Sequence, residues 1–373
     1  NNKDHRASGF NPCAEQSLES FEMCVSGDTK IHTETGVQPI RELVGKTVNI
    51  WNGKEWAEVT PFSTGRNALY RVTLSDGSYL DATPGHQWSV RSGRSYKKVT
   101  TEDLKIGDKL PEFSISTTQG KRFESAYQWG WFVGDGYVDM GRYAMAIVQE
   151  HEMSAVSAAL GGRVRAVRSD YRTGSRWYPV VMNDHIDITS AQAMRTVDAL
   201  HPDIFTWDAQ SLSEFFGGWI DTDGSLIRNP NTDHYLLYGS EGKLRDAQIL
   251  LRRIGINHAT LRKFASKGET TNFGTRNADL YRLLIPSYEA AAISTQLKKA
   301  ERFGGRMRRN NAHNESRMID AARKQKVISI EKISDDSETF CFTEPNTSMG
   351  VFGNVLTHQC TLVETYLNNH ESL

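Results

Sequence analysis

The chain reads as an all-β domain interrupted by an α/β insertion built from two similar halves, and three observations predict this. Residues 29–115 alternate short apolar strands with turns, a helical pattern sets in near Phe123, and strands return beyond Lys326. Within the middle segment, Gly130-Trp131-Phe132-Val133-Gly134-Asp135-Gly136 recurs 88 residues later as Gly218-Trp219-Ile220-Asp221-Thr222-Asp223-Gly224. Self-similarity of this kind marks a duplicated unit.

The β pattern comes first along the chain. Strands are predicted over 37–40, 47–51, 68–80 and 87–91, with Asn52-Gly53 and Asp76-Gly77 as hairpin turns because both dipeptides tolerate positive φ. The insertion follows, with helices expected over 152–160 and 191–200 and strands over 163–169 and 177–182. Strands over 327–333 and 338–342 complete the β domain.

Composition bounds the function classes. A chain of 373 residues is too long for one ordinary core and accommodates two or three domains. No apolar run approaches the roughly 20 residues that a membrane span needs, and the polar residues 1–10 lack a signal-peptide core. Cys13, Cys24, Cys341 and Cys360 are too scattered for a disulfide framework or a Cys-x-x-Cys zinc site, which points to a reducing cytoplasm. The net charge of −1 is unevenly spread: between 121 and 326, 29 Lys and Arg stand against 23 Asp and Glu. Any nucleic-acid contact is therefore expected in the insertion.

Three segments carry chemistry. Cys24 precedes a Gly27-Asp28 turn; Thr83-Pro84-Gly85-His86 sets a hydroxyl and an imidazole three positions apart; His358-Gln359-Cys360 places imidazole, carboxamide and thiol in succession. In this order, bounding the β domain, they resemble the sequence blocks of inteins, self-splicing elements with the horseshoe-shaped Hint fold. The resemblance covers 24 to about 115 and 327–360. It implies that Cys24 attacks the Met23 carbonyl while Thr83 and His86 polarise and protonate that bond, because a thiolate is a strong nucleophile and imidazole exchanges protons near neutrality. Cys360 then takes over the upstream flank, Gln359 cyclises with His358 as proton donor, and an S-to-N shift restores a peptide. No cofactor is expected for splicing.

The sequence departs from the intein pattern in three places. Gln359 stands where inteins usually have Asn, freezing one additional rotor at roughly 0.5 kcal/mol on ring closure, so an Asn there would be expected to react faster. Cys341 occupies a strand position where many inteins have Asp, which implies a proton-transfer helper. Thr347 stands where a further His is common.

The repeated motif resembles the paired dodecapeptides of LAGLIDADG homing endonucleases. That resemblance covers about 123–300 and implies two helices packed through Gly130, Gly134, Gly218 and Thr222. Asp135 and Asp223 would then lie side by side, as ligands of Mg²⁺ for DNA hydrolysis. Arg163, Arg165, Arg168, Arg172 and Arg176 in one half, with Arg252, Arg253 and Arg262 in the other, are expected to contact double-stranded DNA, the host gene lacking the insertion. Lys263 is the expected catalytic lysine. The chain is expected to act as a monomer with an internal pseudo-dimer.

Joining the flanks brings Asn11-Pro12-Cys13-Ala14-Glu15 and Met23 into line with Cys360-Thr361-Leu362. This resembles the active-site loop of a ribonucleotide reductase large chain, which implies a thiyl radical on Cys13 and proton transfer by Glu15. The expected domains are a host fragment (1–23), the first part of the splicing domain (24–120), the endonuclease (121–326, halves about 121–205 and 206–305), the second splicing part (327–359) and a host fragment (360–373). The 37 flanking residues are too few to reduce nucleotides.

Overall fold

The computed structural model describes residues 24–116, 118–169, 174–228, 233–271, 274–299 and 325–359. Asn11, Cys13, Glu15, Arg172 and Cys360 lie outside the described residues. Val25–Ser26, Val327–Cys341, Phe62–Leu74 and Tyr79–Ala82 close an antiparallel barrel. Beside it lies a sheet in the order Val355–His358, Met349–Phe352, Lys30–Thr33, Val48–Trp51 and Trp56–Val59, with Gly36–Pro39 on Lys30–Thr33. The two predicted dipeptides do turn the chain: Gly53 and Gly77 have φ of 97° and 84°. One expectation is corrected. The two segments expected over 327–333 and 338–342 form a single strand, Val327–Cys341, because the polar stretch between them still pairs with Phe62–Leu74 through register shifts at Lys332/Ser334 and Ser334/Ser337.

The insertion contains five longer helices among the described residues: α1 (Ala126–Asp135), α2 (Met153–Leu160), α3 (Ile188–Thr196), α4 (Ala209–Asp223) and α5 (Glu241–Arg252). The two motif copies end α1 and α4. These helices approach so closely that a Cβ on Gly130 would lie 1.9 Å from the Phe215 carbonyl oxygen, and one on Gly218 2.1 Å from that of Tyr127. Only glycine permits such an approach. Each motif helix is followed by a sheet in which the first two strands are succeeded by the last and then the third. In the first half the order is Gly136–Asp139, Tyr143–Gln149, Arg176–Val181 and Arg163–Val164, with Arg168–Ser169 also on Arg176–Val181; in the second it is Gly224–Arg228, Asp233–Gly239, Leu280–Pro286 and Thr260–Ala265. Apolar side chains from both halves merge into one core, distinct from the core of the β domain.

The insertion is docked on the β domain mainly through α5. Arg253 Nη1 donates to the carbonyls of Thr33 (2.8 Å) and Gly36 (3.0 Å), and Arg252 Nε donates to Asn354 Oδ1 (2.8 Å). Gln248 and Arg245 hold the carbonyls of Asp76 and Gly77, and Lys30 pairs with Asp246. This overturns the expectation that Arg252 and Arg253 contact DNA, since both are buried against protein acceptors. A basic pair in a sequence advertises donors, not whether phosphates or carbonyls will meet them. No helix among the described residues is long and apolar enough to cross a membrane.

His32 lies wholly buried at this junction, its Nε2 donating to the Gly353 carbonyl at 2.9 Å. Burial, helped by the Arg253 charge, pushes its pKa down to about 3. An unfolded histidine titrates near 6.5, so between about 6.5 and 3 the unfolded chain binds the additional proton and stability is lost as pH falls. Between pH 6.5 and 5, His32 is expected to contribute a slope approaching about 1.4 kcal/mol per pH unit. Urea titrations of the wild-type and His32→Gln chains check this; parallel pH dependences would refute it.

Candidate functional site

The barrel brings the start and end of the β domain together. Val25 pairs with Phe340 on one side and Ala82 on the other, which seats Cys24 beside both Thr83 and Cys341. The Cys24 N–H donates to Thr83 Oγ1 (2.9 Å), and the Thr83 N–H returns to the Cys24 carbonyl (2.9 Å). That N–H belongs to the Met23–Cys24 peptide. Cys24 and Cys341 are buried together against Phe62, and the Cys341 thiol points to the Phe342 carbonyl at 3.5 Å.

The Thr83 turn continues to His86, whose N–H donates to the Thr83 carbonyl (3.1 Å). His86 Nε2 lies 3.3 Å from Thr357 Oγ1, and that hydroxyl donates to the Gln87 carbonyl (2.8 Å). Having spent its proton there, Thr357 accepts from His86, which makes Nε2 the donor nitrogen. Thr357 was not anticipated from sequence, and it links the early turn to the hairpin that ends in His358 and Gln359.

His358 Nε2 lies 3.0 Å from Ser89 Oγ, and Nδ1 lies 3.3 Å from the Ser348 carbonyl. A carbonyl only accepts, so Nδ1 carries the proton and Nε2 receives the Ser89 hydroxyl. Ser348 has φ of 55°, a left-handed conformation uncommon outside glycine, and its carbonyl also accepts the Gln359 N–H (3.2 Å). Burial, with a smaller effect from Lys98, holds the His358 pKa below the ordinary histidine value.

Gln359 is buried; its Nε2 donates to the Glu344 carbonyl at 3.0 Å, and Oε1 has no hydrogen-bond partner among the described residues. The Glu344 carboxylate is opposed by burial, yet hydrogen bonds from Asn52, Thr347 and Asn346 outweigh it and keep its pKa below the usual range. Thr347, at the position where a histidine was expected, therefore braces the turn that presents the Glu344 carbonyl to Gln359.

In the insertion Asp135 and Asp223 end the two packed helices. The site of a Cβ on Gly134 lies 3.2 Å from Asp223 Oδ2, so this carboxylate rests against the opposite helix. Burial and then the Asp135 charge raise the Asp223 pKa to about 6. Arg195, Lys243 and Lys299 oppose that rise. The expectation for Lys263 does not fit this arrangement: it is half-exposed on Thr260–Ala265 and ion-paired with Asp279 at 2.8 Å. A lysine on a sheet strand could not be told from one beside the carboxylates by spacing. Arg163, Arg165, Arg168, Arg176 and Arg262 are exposed; Arg165 and Arg168 lie over Tyr143 and Trp177, and Arg176 pairs with Glu150. Among the described residues no three His, Cys, Asp or Glu side chains cluster to hold a metal.

No family model matches the chain. Over 365 residues it is 26% identical to the ribonucleoside-diphosphate reductase large subunit of Invertebrate iridescent virus 6, covering 92% of this chain and 36% of that protein. Over 296 residues it is 23% identical to the ATP-dependent DNA helicase Hel308 of Methanocaldococcus jannaschii, covering 71% of this chain and 24% of that protein. The chain thus spans about a third or less of the length of these relatives. Among solved structures it is similar to the Ssp DnaB mini-intein variant M86 (10% identity, 90% of this chain, 92% of that one, TM-score 0.30). It is also similar to the PabCDC21-1 intein (14% identity, 26% of this chain, 74% of that one, TM-score 0.23). With such TM-scores these structural likenesses carry no weight for the arrangement of the site.

The Glu344 contact revises one expectation. An Asn at 359 would freeze one rotor fewer, a gain of roughly 0.5 kcal/mol, but its shorter amide falls short of the Glu344 carbonyl and forfeits a buried hydrogen bond worth about 1 kcal/mol. Gln359→Asn is therefore expected to release the downstream flank no faster than wild type. A time course by mass spectrometry checks this, and a severalfold acceleration would contradict it.

Proposed function

We propose that residues 24–359 excise themselves and join their flanks. The observation that carries this reading is the Cys24 amide, part of the bond to be broken, donating to Thr83 Oγ1 in a buried turn that also contacts the hairpin ending in His358 and Gln359. In the first step Cys24 Sγ attacks the Met23 carbonyl carbon; a C–S bond forms, the C–N bond breaks, and the proton passes to the Cys24 nitrogen. Thr83 stabilises that nitrogen as it pyramidalises, and His86, with Nε2 engaged on Thr357, exchanges the proton through Nδ1. The Cys360 thiol then attacks this thioester and expels Cys24 Sγ.

Gln359 completes the excision. Its Nε2 attacks its own carbonyl carbon, a cyclic imide forms, and the peptide bond to Cys360 breaks with a proton delivered to the Cys360 nitrogen. The Glu344 carbonyl draws on an Nε2 proton and makes that nitrogen the better nucleophile. The protonated Nδ1 of His358 is anchored on Ser348, leaving Nε2 and Ser89 to relay the proton. An S-to-N shift leaves Met23 joined to Cys360. Similarity to a reductase large subunit supports a ribonucleotide reductase as host, with Asn11, Cys13 and Glu15 in its active-site loop. The alternative, a Hint-type domain that cleaves without ligating, does not use Cys360 directly after His358-Gln359.

For the insertion we propose metal-dependent cleavage of double-stranded DNA by a LAGLIDADG-type nuclease. Two carboxylates at the packed ends of α1 and α4, with the Asp223 pKa raised to about 6 by burial and then by the Asp135 charge, fit a divalent cation, which relieves both effects. Asp135 and Asp223 would hold Mg²⁺, which when bound activates water and stabilises a leaving oxygen. Arg163, Arg165, Arg168 and Arg262, exposed on or beside the sheets, would bind phosphates. A relic that only binds DNA is the second reading for this part.

Mass spectrometry of the expressed chain tests splicing by separating precursor, joined 37-residue product and free middle segment. Cys24→Ala is expected to abolish ligation and upstream cleavage while Gln359 still cyclises slowly; a joined product from that variant sinks the mechanism.

For the nuclease, Asp135→Asn or Asp223→Asn is expected to lower Mg²⁺-dependent nicking of the uninterrupted host gene about a hundredfold or more. DNA affinity should persist and weaken with salt, and splicing should be nearly unchanged. Wild-type protein that binds this gene without cutting it would reduce the insertion to a relic.

A further inference from the structure

We infer that Arg252, although it belongs to the insertion, is a positioning residue for the Gln359 step, because it clamps the turn of the hairpin that delivers Thr357, His358 and Gln359. The inference rests on the splicing reading and deepens it. Met349–Phe352 and Val355–His358 pair from Met349 with His358 to Phe352 with Val355, which leaves Gly353-Asn354 as a two-residue turn. Gly353 has φ of 60°, a conformation that the tight turn requires.

This turn is fixed from four directions. Arg252 Nε donates to Asn354 Oδ1 (2.8 Å) and Gln325 Nε2 to the Asn354 carbonyl (2.8 Å). The Gly353 N–H reaches the Lys30 carbonyl (2.6 Å), while His32 Nε2 reaches the Gly353 carbonyl (2.9 Å). Lys30 and His32 belong to the β domain and Gln325 to the last residues of the 121–326 segment, where the chain re-enters that domain; Arg252 comes from the helical body of the insertion. It is 5% exposed, lies over the Phe113 ring at 4.2 Å, and among the described residues forms no ion pair with a carboxylate. No carboxylate among the described residues touches this buried guanidinium, and the more distant charges of Asp76 and Glu289 only partly oppose its desolvation, so it is costly to keep. Its acceptors are the side chain of the turn residue Asn354 and, at 3.5 Å, the Phe113 carbonyl, and the hairpin transmits the position of that turn to its other end.

Four register pairs connect the clamp to the chemistry, and a slip by one residue would turn Thr357 away from His86 and His358 away from Ser89. The clamp therefore bears on the step at the hairpin's end. Cys24 and Thr83 are held by the barrel, and the His86 backbone by the 83–86 turn; the His86 side chain meets the hairpin at Thr357, so thioester formation depends on the clamp less than the Gln359 step does.

The test separates the two steps in one chain. Cleavage at Met23–Cys24 by added dithiothreitol reads thioester formation, and release of the flank after Gln359 reads cyclisation. Arg252→Ala is expected to slow flank release by about 10- to 100-fold, the penalty for small misplacements of reacting groups, and to slow thiol-induced cleavage no more than about threefold, through Thr357 and His86. Arg252→Lys, which retains the charge and loses the planar fork, should show the same split at a smaller size, and it decides the matter if the alanine variant does not fold. Equal losses at both steps, as a general loosening of the fold would produce, overturn the inference. So does unchanged flank release. Wild-type chain that gives thiol-induced cleavage but never releases the downstream flank would refute the Gln359 mechanism itself, and the role of Arg252 would fall with it.

Discussion

The pairing of Val25 and Ser26 with Phe340 and Thr339 is the contact on which the rest of this architecture depends. It joins positions more than 300 residues apart in sequence, and it does so within the ladder that carries Val327–Cys341 along Phe62–Leu74. Closing so large a loop is opposed by chain entropy, although the penalty grows only slowly with loop length. The fifteen-residue strand opposes it with many backbone hydrogen bonds and with the buried side chains of Val327, Phe340 and Cys341. Because the ends are anchored in the barrel, an insertion of some 200 residues can sit between them without separating Cys24 from the hairpin at the other end.

An insertion joined only at its two ends would be free to tumble, and this one is not. Its contacts run through α5, where charged donors meet backbone carbonyls of the β domain instead of phosphates. Arg252 and Arg253 have pKa values lowered to about 10 by burial, which records the desolvation that such docking entails. This hydrogen-bonded junction thus coexists with two separate cores. Consequently a change in the insertion has two very different reaches: at the carboxylates it concerns the insertion alone, whereas at α5 it enters the turn that supports Gln359.

Several of the residues that the structure gathers were legible in the sequence because the chemistry proposed for them needs particular types. A thiol, an imidazole and a carboxamide at Cys24, His86, His358 and Gln359 have few substitutes, so their order alone was informative. The glycines of the repeated motif were legible for a steric reason, since no side chain fits between α1 and α4. Thr357, Ser89 and Ser348 escaped notice because their contributions are single hydrogen bonds set by the hairpin register and by one positive φ, neither of which leaves a spacing in the sequence. Glu344 was hidden for a deeper reason: its backbone carbonyl holds Gln359, and a carbonyl is present in every residue. Arg252 and Arg253 were misread because positive charge beside an apolar run looks the same whether it faces solvent or another domain.

The two motif helices illustrate how a fold can store electrostatic strain for use. Close packing through Gly130 and Gly218 draws the C-terminal ends of α1 and α4 together, and those ends carry the negative poles of their helix dipoles. Placing Asp135 and Asp223 there adds two like charges to an already negative site, and the Asp223 pKa is raised by burial first and by the Asp135 charge second. Nothing in the packing of the apolar core demands carboxylates at these positions, since Gly136 and Gly224 already turn the chain into the following strands. Arg195, Lys243 and Lys299 reduce the repulsion without abolishing it. The repulsion that remains is set by the glycines, since it is their lack of side chains that lets the two helix ends approach so closely.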